Sequence, residues 1–138
     1  MTPGEIVLVQ DSFRLVVPIA GIAADLFYAR LFETGPELRP LFPADLAEQK
    51  RKLVQMLALA VNGLSRPEEI LPALQDLGRR HAGYGAEAAH YAVVGAALLW
   101  TLDQGLGRAF TPEVARAWAE TYGLLSGAMI EAQEMEAA

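Results

Sequence analysis

The chain has 138 residues, of which 53% are hydrophobic and 20% are charged, with a net charge of −6 at pH 7 and no cysteine. This length is typical of one domain with a sizeable core, so we predict a single domain over residues 1–138. Nucleic-acid binding requires a basic patch, and the one basic cluster, Lys50–Lys52, is too short to supply it. The sequence also lacks cysteines for disulfides, a signal-peptide pattern after Met1 and any run of about 18 apolar residues. We therefore expect a cytoplasmic protein that neither binds nucleic acid nor spans a membrane.

The predicted elements are helices throughout, because the alternating β-branched residues typical of strands are absent. Capping residues mark the helix starts, and proline or glycine marks their ends. The predicted helices are about Thr2–Val17, Ile19–Glu33, Asp45–Asn62, Ser65–His81, Ala88–Leu106 and Thr111–Glu134. A proline-rich segment, residues 36–43, adds a short helical turn after the second helix. The pattern predicts an all-α fold of six or seven helices.

The clearest helix starts are capping boxes, in which two side chains three residues apart each bind a free backbone amide. Thr2–Glu5 and Asp45–Glu48 have this pattern, and Ser65–Glu68 repeats its chemistry. Pro18 is expected to break or kink the chain after the first helix, since proline donates no backbone hydrogen bond. Thr111, followed by proline, is expected to cap the last helix.

His81 is the most informative single residue. Leu74 and Leu77 precede it by seven and four residues, so all three side chains share one face of a helix. An imidazole at the end of such an apolar stripe can bind a metal in an apolar pocket, or it can simply cap the helix end. The only other histidine is His90, and there is no cysteine, which argues against a zinc site. A metal held by one histidine takes its remaining ligands from elsewhere, and a porphyrin supplies four.

Motifs in a fixed order along the chain favour the porphyrin. They are Leu-Phe-Tyr-Ala-Arg-Leu-Phe (26–32), Pro-Glu-Leu-Arg-Pro-Leu-Phe (36–42), Glu-Gln (48–49), His81, Ala-His-Tyr-Ala-Val-Val-Gly (89–95) and Ala-Trp-Ala-Glu-Thr-Tyr-Gly (117–123). In order and spacing, they resemble those of bacterial single-domain haemoglobins and of the globin module of flavohaemoglobins. The resemblance implies a globin fold, a helical sandwich around a haem b pocket, with His81 as the iron ligand.

On the ligand side of the haem, the resemblance assigns roles to four residues. Phe42 would stack on the haem face, and Tyr28 would donate a hydrogen bond to bound oxygen. Gln49 would take the place of the distal histidine of animal globins, with Leu53 on the same helix face, four residues away. A buried amide or hydroxyl needs a partner, which suits the pair Tyr28 and Gln49. Their alternative roles are ordinary packing for Phe42 and Tyr28, and the edge of an amphipathic stripe for Gln49.

On the proximal side, the resemblance implies that a tyrosine and a glutamate orient the histidine, since an acceptor on Nδ1–H tunes the iron. Tyr91 matches the tyrosine. The glutamate position falls on Gln133, with Glu134 beside it, and a neutral amide polarises a histidine more weakly than a carboxylate does. The default acceptor for His81 is then the backbone carbonyl of Leu77, one turn earlier.

The implied function is reversible binding of O₂, and of CO and NO, in a pocket with Tyr28 and Gln49 as the active distal residues. Reaction of O₂ with NO to give nitrate would require an electron donor, and the sequence contains no Gly-rich dinucleotide or flavin fingerprint. An external reductase is therefore expected for any nitric oxide dioxygenase activity. The alternative is a globin-fold sensor or protein-interaction module. Either a monomer or a homodimer is compatible with the sequence.

Overall fold

The computed structural model describes residues 1–83 and 85–137, and within them the chain is helical almost from end to end. The α-helices are α1 (Pro3–Val16), α2 (Ala20–Thr34), α3 (Ala47–Asn62), α4 (Pro67–Gly83), α5 (Ala88–Leu106) and α6 (Pro112–Ala137). Short 3₁₀ turns occupy Val17–Ile19, Pro36–Leu41, Gly63–Ser65 and Gly107–Ala109. The described part of the chain therefore has the predicted all-α architecture.

Local chemistry explains most of these boundaries. The predicted capping box at the start of α1 is present, with Glu5 N donating to Thr2 Oγ1 at 3.1 Å and Thr2 N donating to Glu5 Oε1 at 2.9 Å. The 3₁₀ turn that contains Pro18 separates α1 from α2, as the missing amide donor requires. At α6, Val114 N donates to Thr111 Oγ1 at 3.2 Å, so the predicted threonine cap is also present.

Two predicted helix starts were wrong. Asp45 does not open a capping box, because α3 begins at Ala47, and the residue before it, Leu46, has no capping side chain. Asp45 Oδ1 instead accepts from Ala47 N at 3.0 Å, in the turn that leads into the helix. Ser65 is not the cap of α4 either, because it lies in a 3₁₀ turn and the helix begins two residues later, at Pro67.

The core lies between α1, α2, α5 and α6, and Trp118 of α6 is its largest fully buried side chain. The indole Nε1 of Trp118 donates to Ser12 Oγ of α1 at 2.8 Å, so the buried N–H is satisfied. Helix α4, which carries His81, packs against α6 through Gly78. A Cβ at Gly78 would lie 2.4 Å from the carbonyl oxygen of Met129, so only glycine permits this approach of the two backbones.

One helical stretch bears on the expectation that the chain does not span a membrane. Within the described residues, the helical stretch Pro3–Thr34 is long and apolar enough to cross a membrane by length and composition alone. Several of its apolar residues, including Val9, Phe13, Phe27 and Leu31, are buried in the core, and a 3₁₀ turn interrupts it. Core packing accounts for these residues, whereas Leu15, Val17 and Ile22 of the same stretch are exposed.

Candidate functional site

Tyr28 lies at the centre of an aromatic cluster formed by α2 and the turn that follows it. Its ring packs edge-on against Phe27 at 5.0 Å and against Phe42 at 5.7 Å between ring centroids, with Phe32 at 6.0 Å. Tyr28 is buried, and burial raises the pKa of its hydroxyl, although a hydrogen bond with Gln49 opposes the rise. The hydroxyl therefore stays protonated at neutral pH and can act as a donor.

Gln49 reaches Tyr28 from α3, so the structure brings the two predicted distal residues together. Leu53 lies one turn further along α3 and packs against the core that contains Tyr28. Gln49, Leu53 and Phe42 are each half-buried. We call the region that these residues and His81 would line the candidate cleft.

The corner that carries Phe42 is held by an arginine that sequence reasoning had not singled out. The guanidinium of Arg39 donates to the backbone carbonyls of Phe42, Pro43 and Ala44 at 3.2, 3.0 and 3.1 Å. The same group lies over the ring of Phe32, with its carbon 5.1 Å from the ring centroid. Arg39 therefore fixes the turn in which Phe42 lies.

His81 lies in the last turn of α4 and is half-buried. Its Nδ1 is 2.8 Å from the carbonyl oxygen of Leu77, the acceptor expected from the sequence. Burial lowers the pKa of His81, a hydrogen bond to Leu77 raises it in part, and Arg80 lowers it further. A carbonyl oxygen only accepts, so Nδ1 of His81 donates its N–H to Leu77.

Tyr91 packs beside His81, with 6.4 Å between ring centroids and 32° between ring planes. Its hydroxyl donates to Gln133 Oε1 at 3.1 Å, which shows that Gln133, rather than the exposed Glu134, reaches this tyrosine. The backbone carbonyl of Tyr91 accepts from the hydroxyl of Tyr122 at 2.6 Å. Sequence reasoning had not identified Tyr122 as part of the site. Its ring packs on Gly95, since a Cβ built on Gly95 would lie 2.6 Å from the ring.

The remaining candidates have structural roles. His90 accepts from Glu87 N through Nδ1 at 3.0 Å and so helps to cap α5. Trp118 is a core residue, and the half-buried Trp100 lies under the guanidinium of Arg30 at 5.0 Å. Arg80 pairs with Asp76 at 3.0 Å. Among the described residues, no three His, Cys, Asp or Glu side chains come together in a metal-binding group.

The segments that carry the Tyr28 cluster and His81 approach each other at one edge. A Cβ built on Gly85, which follows α4, would lie 3.5 Å from Leu41, the residue before Phe42. The turn after α2 therefore lies near the segment after His81. The side chains that these elements carry are the imidazole of His81 on α4, the hydroxyl of Tyr28 on α2 and the amide of Gln49 on α3.

Comparisons with known proteins show the family of this chain. Residues 25–129 match the model of the globin family. The chain is 37% identical over 108 residues to a flavohemoprotein of Chromobacterium violaceum and 32% identical over 109 residues to one of Bacillus subtilis. Each match covers 75% of this chain but 26% and 27% of the relative, so the chain spans about a quarter of the length of these proteins.

Solved structures share the fold. A bacterial globin from Campylobacter jejuni superposes with a TM-score of 0.82 at 23% identity, covering 97% of both chains. An engineered carbene transferase from Rhodothermus marinus, derived from a candidate nitric oxide dioxygenase, superposes with a TM-score of 0.88 at 24% identity, covering 98% of this chain and 94% of that one. Since the family model matches well over half of the chain and the helices have the same arrangement, the chain belongs to the globin family.

Proposed function

We propose that this protein is a haem b globin that binds O₂ and other diatomic ligands reversibly, with residues 1–138 forming one globin unit. The observation that carries the proposal is the hydrogen bond between Nδ1 of His81 and the carbonyl oxygen of Leu77, at 2.8 Å. This bond fixes the tautomer and the orientation of the ring, so Nε2 is the nitrogen that would bind a metal.

The candidate cleft would suit a flat apolar group. Phe42, Leu53 and Leu77 come from three different elements, and each apolar side chain is half-exposed where an inserted ring could cover it. Covering such surface contributes roughly 25 cal/mol per Å² of apolar area. Phe42, held in its turn by Arg39, would pack on the face of the ring, and His81 would hold the iron from the α4 side.

Tyr28 and Gln49 provide the polar half of the pocket. Gln49 lies close enough to the Tyr28 hydroxyl to oppose the rise of its pKa, and the protonated tyrosine can turn its hydroxyl to a ligand that carries partial negative charge. A hydrogen bond to a charged acceptor contributes about 1.5–3 kcal/mol, which is roughly tenfold or more in dissociation rate. The pocket would therefore retain O₂ longer than CO, which carries less negative charge.

A haem in this cleft would supply an iron with one open position, at which O₂ can bind and can oxidise NO to nitrate at the cost of one electron from the iron. The flavohemoprotein relatives and the structural neighbour derived from a candidate nitric oxide dioxygenase support this second activity. Sustained turnover would need an external reductase to return the electron. In this reaction, Tyr28 and Gln49 would hold O₂ in place while NO enters the pocket.

The decisive experiment is a titration of the purified protein with haemin, followed by spectra of the ferric, ferrous and oxygenated forms. We expect binding of one haem per chain, and a His81→Ala variant that loses haem or holds it loosely. His90→Ala is the matched control and should change little, because His90 caps α5. A protein without a Soret band would favour a haemless sensor or interaction module, and a normal spectrum from His81→Ala would contradict the ligand assignment.

A further inference from the structure

We infer that Arg39 is a positioning residue for the distal side of the candidate cleft, the side that carries Tyr28 and Gln49. Its guanidinium links α2, the segment that contains Phe42 and the start of α3. The inference deepens the proposed function, because these elements would surround a bound ligand. It rests on the contacts of one planar group, which donates hydrogen bonds from its edge and packs through its face.

The edge of the guanidinium meets three successive backbone carbonyls. Arg39 Nη1 donates to the carbonyls of Phe42 and Pro43 at 3.2 and 3.0 Å. Its Nη2 donates to the carbonyl of Ala44 at 3.1 Å. These three residues follow the 3₁₀ turn Pro36–Leu41 and precede α3, so they lie outside both elements. One side chain therefore fixes the path of the α2–α3 connection, residues 35–46, at three consecutive positions.

The face of the guanidinium packs on an aromatic ring of α2. Its carbon lies 5.1 Å from the ring centroid of Phe32. The Phe32 ring in turn lies 5.4 Å from the ring of Phe42 and 6.0 Å from that of Tyr28. Tyr28 and Phe42 are 5.7 Å apart, so the three rings form a closed triangle. A displacement of the connection would therefore open this triangle beside the Tyr28 hydroxyl.

The connection also leads into the helix that carries Gln49. Ala44, which accepts from Arg39, is followed by Asp45. The side chain of Asp45 accepts from the backbone N–H of Ala47, the first residue of α3, at 3.0 Å. Gln49 comes two residues later, in the first turn of the helix. Arg39 thus helps to set where the helix with the distal amide begins.

Arginine is the side chain that combines these contacts. Its guanidinium presents several N–H donors in one rigid plane and stacks on aromatic rings, whereas the ammonium of lysine is a point charge on a flexible stem. Pro43 and Ala44 are exposed, so water can reach their carbonyls when the arginine is absent. Loss of Arg39 should therefore leave the protein folded but release the connection from its fixed path.

Amide hydrogen exchange in the haem-free protein tests these contacts without the proposed cofactor. In Arg39→Ala and Arg39→Lys, the amides of Phe42 and Ala47 should lose about threefold or more of their protection, because each bonds to an acceptor within the released connection. The amides of α5 should keep theirs, since the fold persists. Arg30 of α2 is the matched control, because it is also half-buried and covers an aromatic ring, that of Trp100, at 5.0 Å. Arg30→Ala and Arg30→Lys should change neither amide of the connection.

The haem-loaded protein supplies a second readout, the dissociation rates of O₂ and CO. If Arg39 positions the distal donors, Arg39→Ala should speed O₂ release about threefold or more and CO release clearly less, since bound CO accepts weaker hydrogen bonds. Equal acceleration of both gases would mean that the pocket is merely looser and would overturn the positioning role. Unchanged protection in Arg39→Ala, or wild-type protection in Arg39→Lys, would overturn the inference as well. A failure to bind haem would contradict the proposed function alone and leave the exchange result to decide.

Discussion

Gly78 offers the sharpest test of how α4, and His81 with it, is placed. A Cβ at this position would lie 2.4 Å from the carbonyl oxygen of Met129, 2.8 Å from its Cα and 2.9 Å from its carbonyl carbon. All three atoms are backbone atoms of α6, so no side chain can rotate away. Gly78→Ala must therefore push the two helices apart, and His81 lies three residues further along the helix that moves.

The magnitude follows from two opposing terms. Overpacking against a rigid neighbour costs about 1–3 kcal/mol, and the backbone clash places this site near the upper end. Alanine gains about 1 kcal/mol over glycine in a helix interior, so the net loss should be roughly 2 kcal/mol. For a chain of this size, the midpoint of thermal unfolding should fall by about 8 °C, at roughly 4 °C per kcal/mol.

Gly127→Ala is the matched control. Gly127 also lies in a helix, but a Cβ there would meet nothing within 4 Å. This variant should raise the midpoint by about 4 °C through helix propensity alone. Circular dichroism melts of both haem-free variants measure the difference, and haemin titration shows whether Gly78→Ala also weakens haem binding. Equal midpoints for the two variants would refute the close approach of α4 and α6.

Two further predictions concern the titratable residues of the cleft. Tyr28→Phe removes the hydroxyl with little change in volume, so O₂ dissociation measured by stopped flow should accelerate about tenfold, and CO dissociation should change much less. Equal changes for both gases would mean that Tyr28 acts by steric access. Because burial holds the pKa of His81 below its usual value, the unfolded chain binds a proton more readily than the folded one. The free energy of unfolding of the haem-free protein, from urea titrations, should therefore fall as the pH drops below about 6.5, and fall less in His81→Gln. Identical pH profiles for the two proteins would contradict the burial of this imidazole.

The parts of the fold that the sequence predicted well are those that local chemistry decides. Helix α5 begins at Ala88 and ends at Leu106, as predicted, because flanking glycines set its limits; Gly107 has a φ of 55°. The role predicted for Asp45 was wrong, because an aspartate side chain can cap a helix or stabilise the turn before it. The surrounding turn, held by Arg39, decides between the two uses, and no local pattern shows that turn.

In the candidate site, too, local spacing was predictable from the sequence, whereas contacts that depend on helix packing were not. Helix spacing predicted the carbonyl of Leu77 as the partner of His81, and the resemblance pointed to Tyr28 and Gln49 as distal residues and to Gln133 near Tyr91. The bond from Gln133 to Ala86 could not be predicted, because the two residues lie 47 positions apart in the chain. Contacts at such separations depend on how helices pack, and Gly78 shows how a missing Cβ decides that packing.

The two sides of the candidate cleft carry different chemical groups, and this difference bears on function. On one side, Tyr28 and Gln49 are donors that favour a ligand with partial negative charge. On the other side, His81 has at Nδ1 a neutral backbone carbonyl, which leaves the imidazole less electron-donating than an anionic partner would. Retention of O₂ would then come chiefly from the distal hydrogen bonds, while the proximal contacts fix geometry. It follows that changes at Tyr28 should alter O₂ release with little effect on the iron–histidine band.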